Sequence, residues 1–151
     1  MPGYTEQDVE LMRQAIEQAR LCKSVDSAYN VGAIIADANG SVLSKGYSRQ
    51  LPGNTHAEQC ALDALDKTLD LSTATLYTTM EPCSKRLSGN TPCVQRIIDA
   101  GIMRVVVGVR EPPNFVQCTG VELLEQHGVH VVFITELDAE CRQLNQHLVV
   151  I

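Results

Sequence analysis

Three short segments hold side chains that could do chemistry together: His56-Ala57-Glu58, Glu81-Pro82-Cys83 and Thr91-Pro92-Cys93. One imidazole and two thiols are soft or borderline ligands. Three of them is the number a catalytic zinc keeps while leaving its fourth position open to water. His56 and Cys93 fall at expected helix starts, and Cys83 follows an expected strand end. The positive end of a helix favours thiolate over thiol, and thiolate is the form that binds metal. Glu58, two residues after His56, would point away from it on a regular helix. Only in the first helical turn can both address one small molecule, and the sequence puts them there.

Each segment also has a plainer account. Thr55-x-x-Glu58 ahead of an apolar run is a capping box, in which Glu58 bonds the backbone N–H of Thr55. Thr91-Pro92 is an N-cap followed by proline at the first helical position, which would leave Cys93 an ordinary buried thiol. Taken together, three ligand types and an acid in sequence favour the metal.

The elements that must position these groups alternate along the chain. Thr5 to Asp8 predicts a capping box for a first helix, with Leu11, Met12, Ala15, Ile16, Ala19 and Cys22 as its buried stripe. A hairpin follows: VGAII, the turn Asp37-Ala38-Asn39-Gly40, and SVLSKGY. A second helix starts near His56 and carries Ala61, Leu62, Leu65 and Leu69 on one side. ATLYTTM is a third strand, and a third helix begins at Pro92 with Val94, Ile97 and Ile98 inward. MRVVVGV reads as a buried central strand. After the loop EPPNFVQC come a short helix from Thr119 to about His127, stopped by Gly128, and the strand HVVFI. A last helix carries Leu137, Cys141, Leu144 and Leu148. The order predicts an α/β fold, a three-layer sandwich around a mixed sheet of about five strands. The helix between strands four and five makes those two parallel.

The 151 residues fit one domain with room for a core, and 44% hydrophobic with 20% charged residues is a globular composition. The N-terminus has no basic and apolar leader, and no apolar run approaches a membrane span, so a cytoplasmic protein is expected. In a reducing compartment the six cysteines would serve as core, ligands or catalytic groups rather than disulfides. A net charge of -6 argues against a nucleic-acid partner, which wants clustered lysine and arginine. Cys22, Cys60 and Cys141 read as core, and the helix-end histidines His127 and His147 read as structural partners of helix dipoles. Cys118 stands apart, in a loop leaving the C-terminal end of strand four, where open α/β sheets bind ligands.

His56-Ala57-Glu58 with Pro82-Cys83 and Cys93 resembles the cytidine-deaminase superfamily, in which glutamate is the acid/base and not a ligand. The common motif has two residues between its cysteines; here nine intervene, SKRLSGNTP. That longer insert, with Gly46-Tyr47-Ser48-Arg49 and Gly53-Asn54-Thr55-His56-Ala57-Glu58, is similar to the riboflavin-pathway deaminases, the fungal ones in particular. The resemblance implies Zn2+ at His56, Cys83 and Cys93, Glu58 as catalytic acid/base, and a homodimer. It also implies a substrate, 2,5-diamino-6-ribitylamino-4(3H)-pyrimidinone 5'-phosphate. Lys85, Arg86, Ser88 and Asn90 would suit the ribityl phosphate. Asn30, Ser48 and Asn54 are expected to touch the ring or the ribityl chain, or to be turn residues only. Two alternatives stand beside this one: the same chemistry on a nucleobase, nucleoside or tRNA base, and a non-catalytic zinc module. Glu58 counts against the module, since a structural site needs no acid/base and usually closes with a fourth protein ligand.

Overall fold

Thr5 and Asp8 satisfy each other's backbone groups, Thr5 Oγ1 accepting from Asp8 N and Asp8 Oδ2 from Thr5 N, and this box starts helix α1 (Glu6–Ala19). The computed structural model describes residues 3–25, 28–53, 55–84, 91–110 and 119–148. Beyond α1 the order is β1 (Gly32–Ala36), β2 (Val42–Tyr47), α2 (Ala57–Asp63), β3 (Thr75–Met80), α3 (Cys93–Ala100), β4 (Arg104–Val109), α4 (Gly120–Gln126) and β5 (His130–Phe133). A short 3-10 turn (Thr135–Leu137) leads into α5 (Asp138–Gln143).

The five strands form one sheet in the order β2-β1-β3-β4-β5. β1 pairs antiparallel with both β2 and β3, while β3, β4 and β5 pair parallel. Four strands therefore run one way and β1 runs against them. Successive residues face opposite sides, as strands require. Ile34, Ala36, Tyr77 and Val106 pack toward Leu11, Met12 and Ile16 of α1 and Cys141 of α5. Ala33, Ile35, Leu76, Val105 and Val107 pack toward Ala57 and Ala61 of α2, Ile97 of α3 and Leu124 of α4. With both faces covered, a strand reads as an unbroken apolar run, which is why MRVVVGV carries no alternation.

The expected α/β sandwich and the parallel β4–β5 pair are as observed. Helix ends differ. α2 stops at Asp63, so Leu65 and Leu69 lie beyond it and Leu69 is exposed. Asp66 and Asp70 end the pattern by accepting hydrogen bonds from Thr68 N and Ser72 N, both at 2.9 Å, local bonds that compete with the helix. Cys22 lies past the end of α1, half-buried, with its Sγ 3.8 Å from Val31 O. The last helix is shorter than expected, and Leu144 and Leu148 follow it. No helix among the described residues is long and apolar enough to cross a membrane.

Asp8 does more than cap. Its carboxylate accepts from Tyr77 Oη at 2.6 Å and takes both Arg104 amino groups, at 3.1 and 2.8 Å. One buried acid thus ties α1 to β3 and β4. Burial alone would raise its pKa, but the Arg104, Tyr77 and Thr5 donors outweigh that and hold it at about 2. A depressed carboxylate stabilises the fold fully above its ordinary range and loses that contribution as pH falls through the folded value. Asp8→Asn should therefore cost about 2–3 kcal/mol at neutral pH, near the lower bound for breaking a buried pair because Arg104 reaches solvent. In urea titrations the gap between variant and wild type should close as pH falls from about 4 to about 2.

Candidate metal centre

β2 and β3 run in the same direction, so the helices that follow them begin at the same edge of the sheet. Topology alone brings the N-terminus of α2 and the N-terminus of α3 to one place. At the first, β2 ends in Tyr47 and the chain turns through Ser48 and Arg49. Arg49 takes a left-handed φ of 62°, uncommon for a residue with a side chain. Its N–H donates to Thr55 O at 2.7 Å, closing the loop just before His56. Its guanidinium bonds Tyr29 O, Lys23 O and Asn30 Oδ1. α2 then lies against β2 so tightly that a Cβ on Gly46 would come within 2.3 Å of Ala57 O. Glycine is required there by the close approach.

His56 is the N-cap of α2, and Gln59 Oε1 accepts from His56 N at 3.4 Å. This corrects the capping box expected at Thr55: the box sits one residue later, Gln59 fills it, and Thr55 Oγ1 donates to Leu51 O. Glu58 is therefore not the capping residue. It lies in the first turn of α2, 4% exposed. At the second N-terminus Pro92 is the N-cap and Cys93 the first helical residue, one position on from the expected Thr91 cap.

Cys83 Sγ and Cys93 Sγ lie 3.5 and 3.4 Å from His56 Nδ1. Their ligand atoms all fall within 4.8 Å of one another, and the three residues are the one such group of His, Cys, Asp and Glu among the described residues. With Zn–S of about 2.3 Å and Zn–N of about 2.0–2.1 Å, a tetrahedron has S···N edges of about 3.5 Å. The observed spacing fits that edge, and the donor set fits zinc. Both cysteines are buried and His56 is half-buried. Cys93 N donates to Cys83 Sγ at 3.2 Å. Hydrogen bonding with Cys93 outweighs the upward push of burial on Cys83, and with help from His56 it holds that thiol well below its ordinary pKa. A lowered pKa favours the metal-binding thiolate.

Residues 5–109 match the family model described as the cytidine and deoxycytidylate deaminase zinc-binding region. The chain belongs to this family. Among curated relatives, a Schizosaccharomyces pombe diaminohydroxyphosphoribosylamino-pyrimidine deaminase is 44% identical over 135 residues, 87% of this chain. The chain spans about a third of that relative's length (33%). Among solved structures, the Aspergillus oryzae Rib2 deaminase in complex with DARIPP, a C-terminal deletion mutant, aligns with a TM-score of 0.81 at 29% identity. That match covers 94% of this chain and 91% of the other. The Thermotoga maritima diaminohydroxyphosphoribosylaminopyrimidine deaminase/5-amino-6-(5-phosphoribosylamino)uracil reductase aligns with a TM-score of 0.83 at 33% identity, over 95% of this chain and 40% of the other.

Of the other expected site residues, Asn30 and Ser48 are described and both are buried. Asn30 donates from Nδ2 to Ser24 Oγ and Leu144 O, and its Oδ1 accepts from Arg49. Its backbone is matched by Asn145, whose Oδ1 accepts from Asn30 N and whose Nδ2 donates to Asn30 O. Ser48 Oγ accepts from Val31 N at 2.9 Å. Both side chains brace the entry to β1. Asn54, Lys85, Arg86, Ser88, Asn90 and Cys118 lie outside the described residues. Cys60 and Cys141 are core, as expected, and burial pushes the Cys141 thiol up to about 12. Asp8, Arg49 and Arg104 were missed as positioning groups. They work through partners far away in sequence, and no local spacing marks such pairs.

Proposed function

We propose that this protein hydrolytically removes an exocyclic amine from 2,5-diamino-6-ribitylamino-4(3H)-pyrimidinone 5'-phosphate, in the riboflavin pathway. The observation that carries the proposal is the imidazole–dithiolate cluster, spaced for zinc, with the buried Glu58 in the first turn of the helix that His56 caps. In this reading His56, Cys83 and Cys93 hold the metal. Zinc, when bound, supplies the Lewis acidity that brings the pKa of a water toward ~7. Glu58 accepts the proton of the attacking water and passes it to a ring nitrogen, which makes the neighbouring carbon electrophilic. The water oxygen adds to that carbon, Glu58 takes the second proton from the new hydroxyl and delivers it to the amine, and the C–N bond breaks to release ammonia as the carbonyl forms.

The pyrimidine-deaminase names of the relatives support the substrate class. The insert between the cysteines supports the phosphate, with Lys85 and Arg86 supplying charge and Ser88 and Asn90 neutral donors. Asn54 is proposed to touch the ring or the ribityl chain, and Asn30 and Ser48 to support that contact through their bonds at the entry to β1. The family resemblance favours a homodimer, and the reducing surroundings expected for the six cysteines favour a cytoplasmic location.

The test is ammonia release from the ribitylamino pyrimidinone phosphate, its ribosylamino counterpart, the dephosphorylated compound, cytosine and a tRNA anticodon stem. Release confined to the last two would replace the proposed substrate with a nucleobase or tRNA base. Arg86→Ala should lower kcat/KM for the phosphorylated compound by roughly 10- to 150-fold, the loss of one charge-assisted contact. It should leave the dephosphorylated compound unaffected. Equal losses on both would make Arg86 a support of the loop.

A further inference from the structure

The carboxylate of Glu81 is the best-shielded charge beside the metal centre to which the proposed reaction gives no task. It is 1% exposed, its Oε2 accepts from Val121 N at 3.1 Å, and Arg110 Nη1 lies 3.6 Å away. Arg110 also pairs with Glu122 at 3.0 Å. Both acids meet it at the first turn of α4.

Two further contacts join the same pieces of chain. Ser84 Oγ accepts from Thr119 N at 3.0 Å. A Cβ on Gly120 would come within 2.0 Å of Pro82 O. Residues on either side of Pro82-Cys83 are thus fastened to the start of α4, and the Pro82 carbonyl is pressed against it. From the opposite side, Cys83 O accepts from Val94 N at 3.1 Å and Cys83 Sγ from Cys93 N at 3.2 Å. Cys83 is held between the first turns of two helices, and Glu81 anchors the α4 side.

Stability does not explain a charge in that position. A buried ion must be desolvated, and a well-packed apolar side chain would stabilise the same spot as well or better. A carboxylate offers something a hydrophobe lacks, a directional bond to one particular N–H. We propose that Glu81 is a positioning residue that sets the place of Cys83 and thereby the grip of the centre on its metal. The proposal rests on the assignment of zinc to His56, Cys83 and Cys93.

Transfer of zinc from the purified protein to excess chelator reads this directly, alongside melting of the zinc-free forms. Glu81→Ala should release zinc 10- to 100-fold faster than wild type, the usual cost of losing a group that orients a ligand. Glu81→Gln keeps a carbonyl for Val121 N and should release zinc within roughly 3-fold of wild type. In the cobalt-substituted protein, the thiolate-to-cobalt band should shift in Glu81→Ala and return in Glu81→Gln. Wild-type release from Glu81→Ala, with only a lower melting temperature, would overturn the proposal and leave Glu81 a support of α4. If Glu81→Ala does not fold, Glu81→Asp takes its place. It keeps the charge but falls one methylene short of Val121, and wild-type release from it overturns the proposal equally. A wild-type protein that binds no zinc would remove the centre and this role with it. A zinc-bound wild type with an unaffected variant would remove the role of Glu81 alone.

Discussion

Glu58→Gln is expected to keep its fold and its zinc and to turn over at least ~10²-fold more slowly, the usual scale for a general acid/base. That factor corresponds to about 2.7 kcal/mol of transition-state stabilisation. The substitution preserves shape and one oxygen but cannot shuttle a proton. It also keeps the capping bond of α2, because Gln59 closes the cap on His56 N. The rate and the melting temperature can therefore be measured apart. Ammonia release at saturating substrate gives the rate, elemental analysis the metal, and a thermal melt the fold. A near-normal rate in a protein that merely melts earlier would take Glu58 out of the chemistry.

Cys83→Ala should strip the metal. Structural zinc is bound by about 10–16 kcal/mol, so each of four ligands carries about 3–4 kcal/mol. Losing one should weaken zinc by roughly 10²–10³-fold. The proper control is Cys141→Ala, which removes an equally buried thiol from the other face of the sheet. It should melt earlier and keep its zinc. Full occupancy in Cys83→Ala, judged by elemental analysis after dialysis against a mild chelator, would end the ligand assignment and the mechanism built on it.

The cluster of His56, Cys83 and Cys93 was legible in the sequence because metal chemistry depends on residue type, and imidazole and thiolate are rare types. The sheet was legible for a different reason: a strand covered on both faces must be apolar throughout, and β4 is. What was not legible follows from bonds that leave no period. The stripe of α2 runs on through Leu65 and Leu69 as letters, yet Asp66 and Asp70 turn the chain with their own side chains. Thr55-x-x-Glu58 and His56-x-x-Gln59 are overlapping caps, and pattern alone does not choose between them. The choice has consequences, because it decides which side chain closes the cap, and that side chain is Gln59. Asp8 looked like half of a capping box and is one, but its bonds to Tyr77 and Arg104 come from strands far along the chain.

The reciprocal amide pair between Asn30 and Asn145 bears on the order in which the molecule is assembled. During synthesis the strand pair β1–β2 can form early, since its two halves are close in sequence. The segment entering β1 is different, because the groups that match the peptide N–H and C=O of Asn30 belong to Asn145, which is made after every strand of the sheet. Until Asn145 emerges, those two polar groups have only water, and closing so long a loop is slow. The approach to β1, which also carries the anchor points for Arg49 and so for the turn ahead of His56, is therefore among the last parts to set. A nascent chain can therefore own a complete sheet before it owns a finished turn ahead of His56.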